Sequence, residues 1–115
     1  MADDLDRRFA ALANQNRRAM VHQLGTNPAS ISRLASDVGL SLPAMNKHVG
    51  VLEAAGLVTR RKLGRTTFLT LDRKAIRDLQ AWLGQFHPYW GTDQDTLVTQ
   101  ERYLTGNVPD AKEEP

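Results

Sequence analysis

Two short helical patterns, separated by only a few residues around Gly39, restrict the fold of this chain more than any other feature. The first pattern begins after Ser30, and the second begins after Ser41 and ends before Gly56. Serine is a favoured helix N-cap, glycine commonly follows a helix end, and Pro43 falls in a first turn, where no N–H is needed. Two helices with so short a connection predict a helix-turn-helix.

The residues after Gly56 change from helical to strand periodicity. Residues 57–62 and 66–71 are rich in β-forming residues and flank Leu63-Gly64-Arg65. Because Gly64 can supply the positive φ of a tight turn, the pattern predicts a β-hairpin.

Helical patterns also lie on both sides of this segment. We expect a first helix over about residues 3–14, a second capped by Asn16, a fifth capped by Asp72, and a sixth opened by the capping-box pattern of residues 92–95. The predicted fold class is mainly α with a β-hairpin wing, a winged helix-turn-helix of about six helices.

Length and composition narrow the class of protein. With 115 residues, the chain suits one domain, which we place at residues 1–106, followed by a disordered acidic tail at 107–115. The chain has no cysteine, which excludes disulfides and thiolate metal sites. It shows neither an apolar run of about 20 residues nor a secretion signal after Met1, so we expect a cytoplasmic protein.

The net charge of +2 hides a gradient along the chain. Residues 41–77 hold eight basic and two acidic residues, whereas residues 91–115 hold two basic and six acidic residues. A local charge of +6 is typical of a surface that binds a polyanion, although a solvated charged face would give the same count.

The fourth helix, about residues 41–55, divides into two faces at about 100° per residue. Met45, Val49 and Leu52 form a core stripe, while the outer arc consists of Pro43, Asn46, Lys47 and Gly50. On that arc the amide can pair with adenine in the major groove and the ammonium can bind phosphate. The outer arc therefore predicts a DNA-reading helix, against the alternative of a plain surface helix.

His48 flanks the core stripe, so a hydrogen bond within the fold and a contact with phosphate are equally open. The wing, about residues 57–71, carries basic residues around its tip and can lie along the minor groove or flanking phosphates. The predicted DNA-binding residues are Ser41, Leu42, Pro43, Asn46, Lys47, His48, Gly50, Arg60, Arg61, Lys62, Arg65 and Thr66.

The segments ALANQNRR (11–18) and LPAMNKHVGVLEAAGLV (42–58), with Gly64-Arg65, resemble the ArsR (ArsR/SmtB-type) winged-helix regulators over about residues 4–104. The resemblance implies a prokaryotic homodimer that binds operator DNA and regulates transcription as a repressor. The family's usual pattern has Ser where this chain has Asn46 and often Gln where it has Leu42, so the operator sequence is not implied.

The metal sites of the family do not carry over. Residues 31–38 contain none of the cysteines that metal-sensing members place on this helix, and Asp78 and His87 lie on opposite sides of the fifth helix. A buried Zn²⁺ site requires about four ligands in a suitable geometry. The chain looks more like the metal-independent branch, with an aromatic run at Trp82, Phe86, Tyr89 and Trp90, and we expect no cofactor.

Apolar residues in the N- and C-terminal helices exceed what a small core can cover, and we expect them to form a dimer interface. The predicted interface residues are Leu5, Phe9, Leu12, Leu79, Leu83, Phe86, Tyr89, Trp90 and Leu97. The alternative is that the aromatic run forms a pocket for a small-molecule effector.

Two other classes of function would require different residues from those of a DNA-binding regulator. A winged-helix module that binds protein should carry acidic or apolar residues on the outer arc, where Asn46 and Lys47 stand. An enzyme should show a nucleophile elbow, a glycine-rich phosphate loop or an acid/base pair, and the sequence shows none of them. We therefore predict no enzymatic activity.

Overall fold

The computed structural model of the chain describes residues 2–86 and residue 104. The helices and strands follow in the order α1 (Ala2–Leu12), α2 (Gln15–Leu24), β1 (Ala29–Ser30), α3 (Ile31–Val38), α4 (Leu42–Ala54), β2 (Val58–Leu63), β3 (Thr66–Leu71) and α5 (Arg73–Gly84). The described residues thus contain the five helices and the hairpin that we predicted there. The predicted acidic tail lies outside them, and so does the predicted sixth helix except for Leu104.

Two compact units divide the chain, Met1–Leu79 and Gln80–Pro115. The first contains the helix-turn-helix, the sheet and the core. In the described part of the second unit, α5 ends at Gly84 and Phe86 follows in a turn. The rings of Phe86 and Trp82 pack edge to face, with their centroids 5.1 Å apart. Phe86 therefore lies beyond the end of α5.

The turn between α3 and α4 is formed by local hydrogen bonds. The Ser30 hydroxyl accepts from the Arg33 amide at 3.1 Å, and the Ser41 hydroxyl accepts from the Ala44 amide at 3.3 Å. Gly39, at φ 72°, ends α3, and the next amide returns to the carbonyl of Ala35. This is a Schellman ending, which requires the left-handed region. Both predicted serine caps are confirmed.

The prediction for the start of α2 was wrong by two residues. The N-cap is Asn14, whose Oδ1 accepts from the Arg17 amide at 3.1 Å, and not Asn16. The Arg17 guanidinium also donates to the carbonyl of Ala11 at the end of α1. These bonds close a connection of only two residues, so α2 begins earlier than residue spacing alone indicated.

The sheet has three antiparallel strands in the order β1-β3-β2. The hairpin pairs Val58 with Leu71 through to Leu63 with Thr66, so Gly64-Arg65 forms a two-residue turn. Gly64 has φ 63°, as predicted. Strand β1, which pairs Ala29 with Leu69, was not predicted, because two residues after a proline give no periodic signal.

One hydrophobic core joins α1–α5 and the sheet within the first unit. Its largest fully buried side chains are Met20, Leu24, Leu34, Met45, Val49, Leu52, Leu57 and Leu69. Burial of each such side chain stabilises the fold by about 1.5–3 kcal/mol. Since α4 supplies three of them, the orientation of this helix is set by packing, and its opposite face is directed to solvent.

Candidate nucleic-acid interface

The helix α4 presents the face that its sequence predicts. Met45, Val49 and Leu52 are fully buried. The predicted contact residues on the other side, from the cap Ser41 through Leu42, Pro43, Asn46 and Lys47, are exposed, and Gly50 is half-buried. A helix of this width fits the major groove, and an exposed amide beside an ammonium supplies both base-reading and phosphate-binding groups.

His48 lies between these two faces and is half-buried. Its Nδ1 is 3.2 Å from Nη1 of Arg17. Because a guanidinium only donates, Nδ1 accepts this bond, and a neutral ring then carries its proton on Nε2. The structure thus shows the internal hydrogen bond that we left open, while a phosphate contact through Nε2 stays a prediction.

Arg17 is a residue that the sequence reasoning missed. Its Nε donates to the Ala11 carbonyl at 2.6 Å while Nη1 contacts His48, so one guanidinium joins the end of α1 to α4. The only signal in the sequence was its place beside the α1–α2 break.

The wing exposes all four of its basic residues. Arg61, Lys62 and Arg65 form no ion pair with any described residue, whereas Nε of Arg60 lies 2.8 Å from Oε1 of Glu53 at the end of α4. The sequence reasoning did not assign Glu53 any role. Glu53 lies seven residues before Arg60, and a helix-to-strand turn separates them, so residue spacing alone did not predict the ion pair.

A polar cleft of about 450 Å³ lies where α3, α4 and the wing meet. Its lining residues are Ser30, Ile31, Ser32, Asn46, Arg60, Arg65, Thr66 and Thr67. The structure therefore brings together four of the predicted DNA-binding residues, Asn46, Arg60, Arg65 and Thr66. The others lie on exposed surface outside the cleft lining, except for the half-buried His48 and Gly50.

The predicted dimer residues that the structure describes fall into three groups. Phe9, Leu83 and Phe86 are exposed, Leu5 and Leu12 are half-buried against the core, and Leu79 belongs to the core itself. Leu79 therefore offers little surface to a partner. Tyr89, Trp90 and Leu97 lie outside the described residues.

Neither a metal cluster nor a membrane span is found in the described part of the chain. No three His, Asp or Glu side chains among those residues are grouped so that they could hold a metal ion. No helix there is long and apolar enough to cross a bilayer. His87, one member of the residue pair considered from sequence, is outside the described range.

The fold and this surface define a winged helix-turn-helix protein of the DNA-binding class. Residues 12–61 match a family described as a helix-turn-helix domain. The chain is 37% identical over 96 residues to the HTH-type transcriptional regulator Rv2034 of Mycobacterium tuberculosis (strain ATCC 25618 / H37Rv), covering 84% of this chain and 90% of that relative. It is 28% identical to the nodulation protein NolR of Rhizobium meliloti, covering 77% of this chain and 70% of the relative.

Among solved structures, the chain is similar to an ArsR family transcriptional regulator with a TM-score of 0.71 and 31% identity, covering 78% of this chain and 93% of the other. An ArsR-like transcriptional regulator from Rhodococcus sp. RHA1 gives a TM-score of 0.68 at 26% identity, covering 90% of this chain and 93% of the other. This chain belongs to the ArsR family of winged helix-turn-helix transcriptional regulators. The resemblance noted in the sequence is confirmed, and the protein is a DNA-binding regulator.

Proposed function

We propose that the protein is a homodimeric repressor that binds operator DNA in the cytoplasm, with α4 in the major groove and the wing on the minor groove or neighbouring phosphates. The observation that carries this proposal is the division of α4. Met45, Val49 and Leu52 fix the helix in the core, and the exposed side offers Asn46 and Lys47.

Asn46 is the residue that we propose reads sequence. An amide paired bidentately with adenine contributes about 1–3 kcal/mol of discrimination against other bases. Lys47 and the wing residues Arg61, Lys62 and Arg65 bind phosphate in this arrangement and give affinity more than selectivity.

Exposed apolar side chains of the second unit support the homodimer. Leu83 and Phe86 are exposed, although each is large and apolar. A second copy of the chain would cover them, and a dimer would read two half-sites about 34–36 Å apart. The chain has no cysteine with which to hold a thiolate-bound metal, so we propose that regulation uses no resident metal.

Salt dependence tests DNA binding directly. With about three phosphate contacts per subunit, the slope of log K against log salt concentration should be about −5 for a dimer. The measurement is a binding titration with operator duplex selected from random DNA by the purified protein, over about 50–200 mM salt. A flat dependence, or equal binding to shuffled duplex, would contradict the proposal.

A charge-reversal variant tests the surface itself. Lys47→Glu combined with Arg65→Glu should abolish operator binding, because both exposed cations then repel phosphate. The matched control is Arg7→Glu with Arg77→Glu, which changes the charge equally on exposed positions of α1 and α5. If the first variant still represses a reporter gene while the dimer stays intact, the surface binds a protein partner instead of DNA.

A further inference from the structure

Arg60 differs from the other wing cations in having a fixed partner. Its Nε donates to Oε1 of Glu53 at 2.8 Å, and the two side chains are both partly exposed. The bond joins the last turn of α4 to the first half of β2. It therefore ties the DNA-facing helix to the base of the wing.

Glu53 is also unusual in its charge. It is the only acidic residue between Asp37 and Asp72, in the part of the chain with the highest density of basic residues. An acid in such a place repels phosphate and weakens DNA binding. A direct bond to one arginine of the cleft gives this acid a role that offsets the repulsion.

The geometry of a guanidinium indicates what that role is. Arginine has five N–H donors in a rigid planar fork. The bond to Glu53 uses the single N–H of Nε and leaves the four N–H groups of Nη1 and Nη2, which make no hydrogen bond to any described residue. Arg60 lines the polar cleft with Asn46, Arg65 and Thr66, and no acidic side chain is among the lining residues.

We propose that Glu53 is a positioning residue that orients Arg60 so that its two terminal nitrogens bind a DNA backbone phosphate seated in this cleft, next to Asn46. The inference rests on the proposed DNA-binding function. A guanidinium held at Nε loses less conformational freedom when it binds phosphate bidentately. A phosphate fixed beside Asn46 also sets the register in which the amide meets the bases, so the pair contributes to selectivity as well as to affinity.

The two effects of Glu53, its charge and its hydrogen bond, are separated by two variants. Glu53→Gln keeps an oxygen acceptor for Nε and removes the charge, so operator binding should be as tight as in the wild type or tighter, with the preference over shuffled duplex kept. Glu53→Ala removes the acceptor, so the preference for operator should fall by about 2- to 10-fold, the cost of ordering one free side chain. Asp6→Asn on α1 is the matched control for charge and should change neither the operator affinity nor the preference over shuffled duplex.

Arg60 itself is tested by the salt slope. Arg60→Gln should reduce the magnitude of the slope by about 0.9 for each subunit that loses a phosphate contact. Arg77→Gln on α5 makes the same change of charge away from the cleft and should leave the slope unchanged. In the Arg60→Gln background, Glu53→Ala should cause no further loss of preference, because the residue acts only through Arg60.

Thermal unfolding of each variant checks that the fold is intact, and Arg60→Lys, which keeps the charge but loses the fork, serves as a second variant if Glu53→Ala is unfolded. Arg60→Lys should lower the preference for operator without changing the slope of log K against log salt concentration. An unchanged preference in Glu53→Ala, or a rise in both its affinity and its slope, overturns the positioning role. Failure of the wild type to prefer operator overturns the proposed function, and the inference with it.

Discussion

At the scale of single residues, the long charged side chains carry information that spacing did not reveal. Arg17 joins α1 to His48, Glu53 pairs with Arg60, and Arg8 reaches both the Ala55 carbonyl and Asp78. The sequence predicted the basic residues as a group, because their charge can be counted from the sequence alone. It could not assign their partners, since a side chain with four rotatable bonds meets whatever the tertiary fold brings near.

Asp78 provides a measurable case. The hydrogen bond from Lys74 holds the pKa of the Asp78 carboxyl below its ordinary value, with a weaker contribution from Arg8 and an opposing one from desolvation. We expect Lys74→Gln to raise the pKa of Asp78, measured by NMR titration of the carboxyl carbon. Arg77→Gln, the control on the same helix, should leave that pKa unchanged.

The direction of the pH effect follows from this lowered pKa. A carboxyl whose pKa is depressed in the folded state stabilises the fold above its unfolded pKa, and that contribution is lost as the pH falls through the folded pKa. The wild type should therefore lose more stability than Lys74→Gln on acidification. Because Asp78 is exposed, the difference is small, and equal acid sensitivity of the two proteins would show that the pair contributes nothing.

At the scale of elements, local signals predicted most of the structure. The caps Ser30 and Ser41 and the turn glycines placed α3, α4 and the hairpin correctly, because a cap is satisfied by its own neighbours. Strand β1 could not be predicted, since it exists only through its pairing with β3. The polar cleft was also out of reach, because it needs the relative positions of three elements.

Two glycines of the helix-turn-helix should respond in opposite directions to alanine. Gly39 has φ 72° with nothing within 4 Å of an added Cβ, so Gly39→Ala should destabilise the fold by about 1–2 kcal/mol through backbone strain alone. Gly50 is helical and equally open, so Gly50→Ala should stabilise by about 0.5–1 kcal/mol. Denaturant unfolding measures both.

The same Gly50→Ala variant bears on the DNA-facing surface. If the backbone at Gly50 approaches DNA closely, operator affinity falls although the protein is more stable. Unchanged affinity in this variant would remove Gly50 from the proposed contacts. A loss of stability in it would contradict the helical-propensity argument.

At the scale of the whole molecule, the first unit holds a complete core, yet large apolar side chains stay exposed. Leu83 and Phe86 are 55% and 48% exposed. The sequence predicted the surplus of apolar residues, since their number can be counted, but Leu79 shows that counting does not separate core from interface. Such a surplus is typical of a surface covered by another protein chain.

Leu83→Asp should convert the proposed dimer to a monomer, because a carboxylate at a buried interface cannot be solvated. Sedimentation equilibrium measures the mass, and operator affinity should fall with the loss of the second half-site. Ala81→Asp, two residues earlier and about 200° around α5, is the control and should stay dimeric. A wild-type protein of single-chain mass would contradict the homodimer.

The strand order β1-β3-β2 has a consequence for how the protein behaves in solution. Both edges of the sheet are poor templates for another strand: β1 is two residues long, and β2 carries Arg60, Arg61 and Lys62 in succession. Charged edge strands resist pairing with neighbouring molecules. The wing cations thus also protect against aggregation, and a variant that neutralises them should self-associate through the exposed edge of β2.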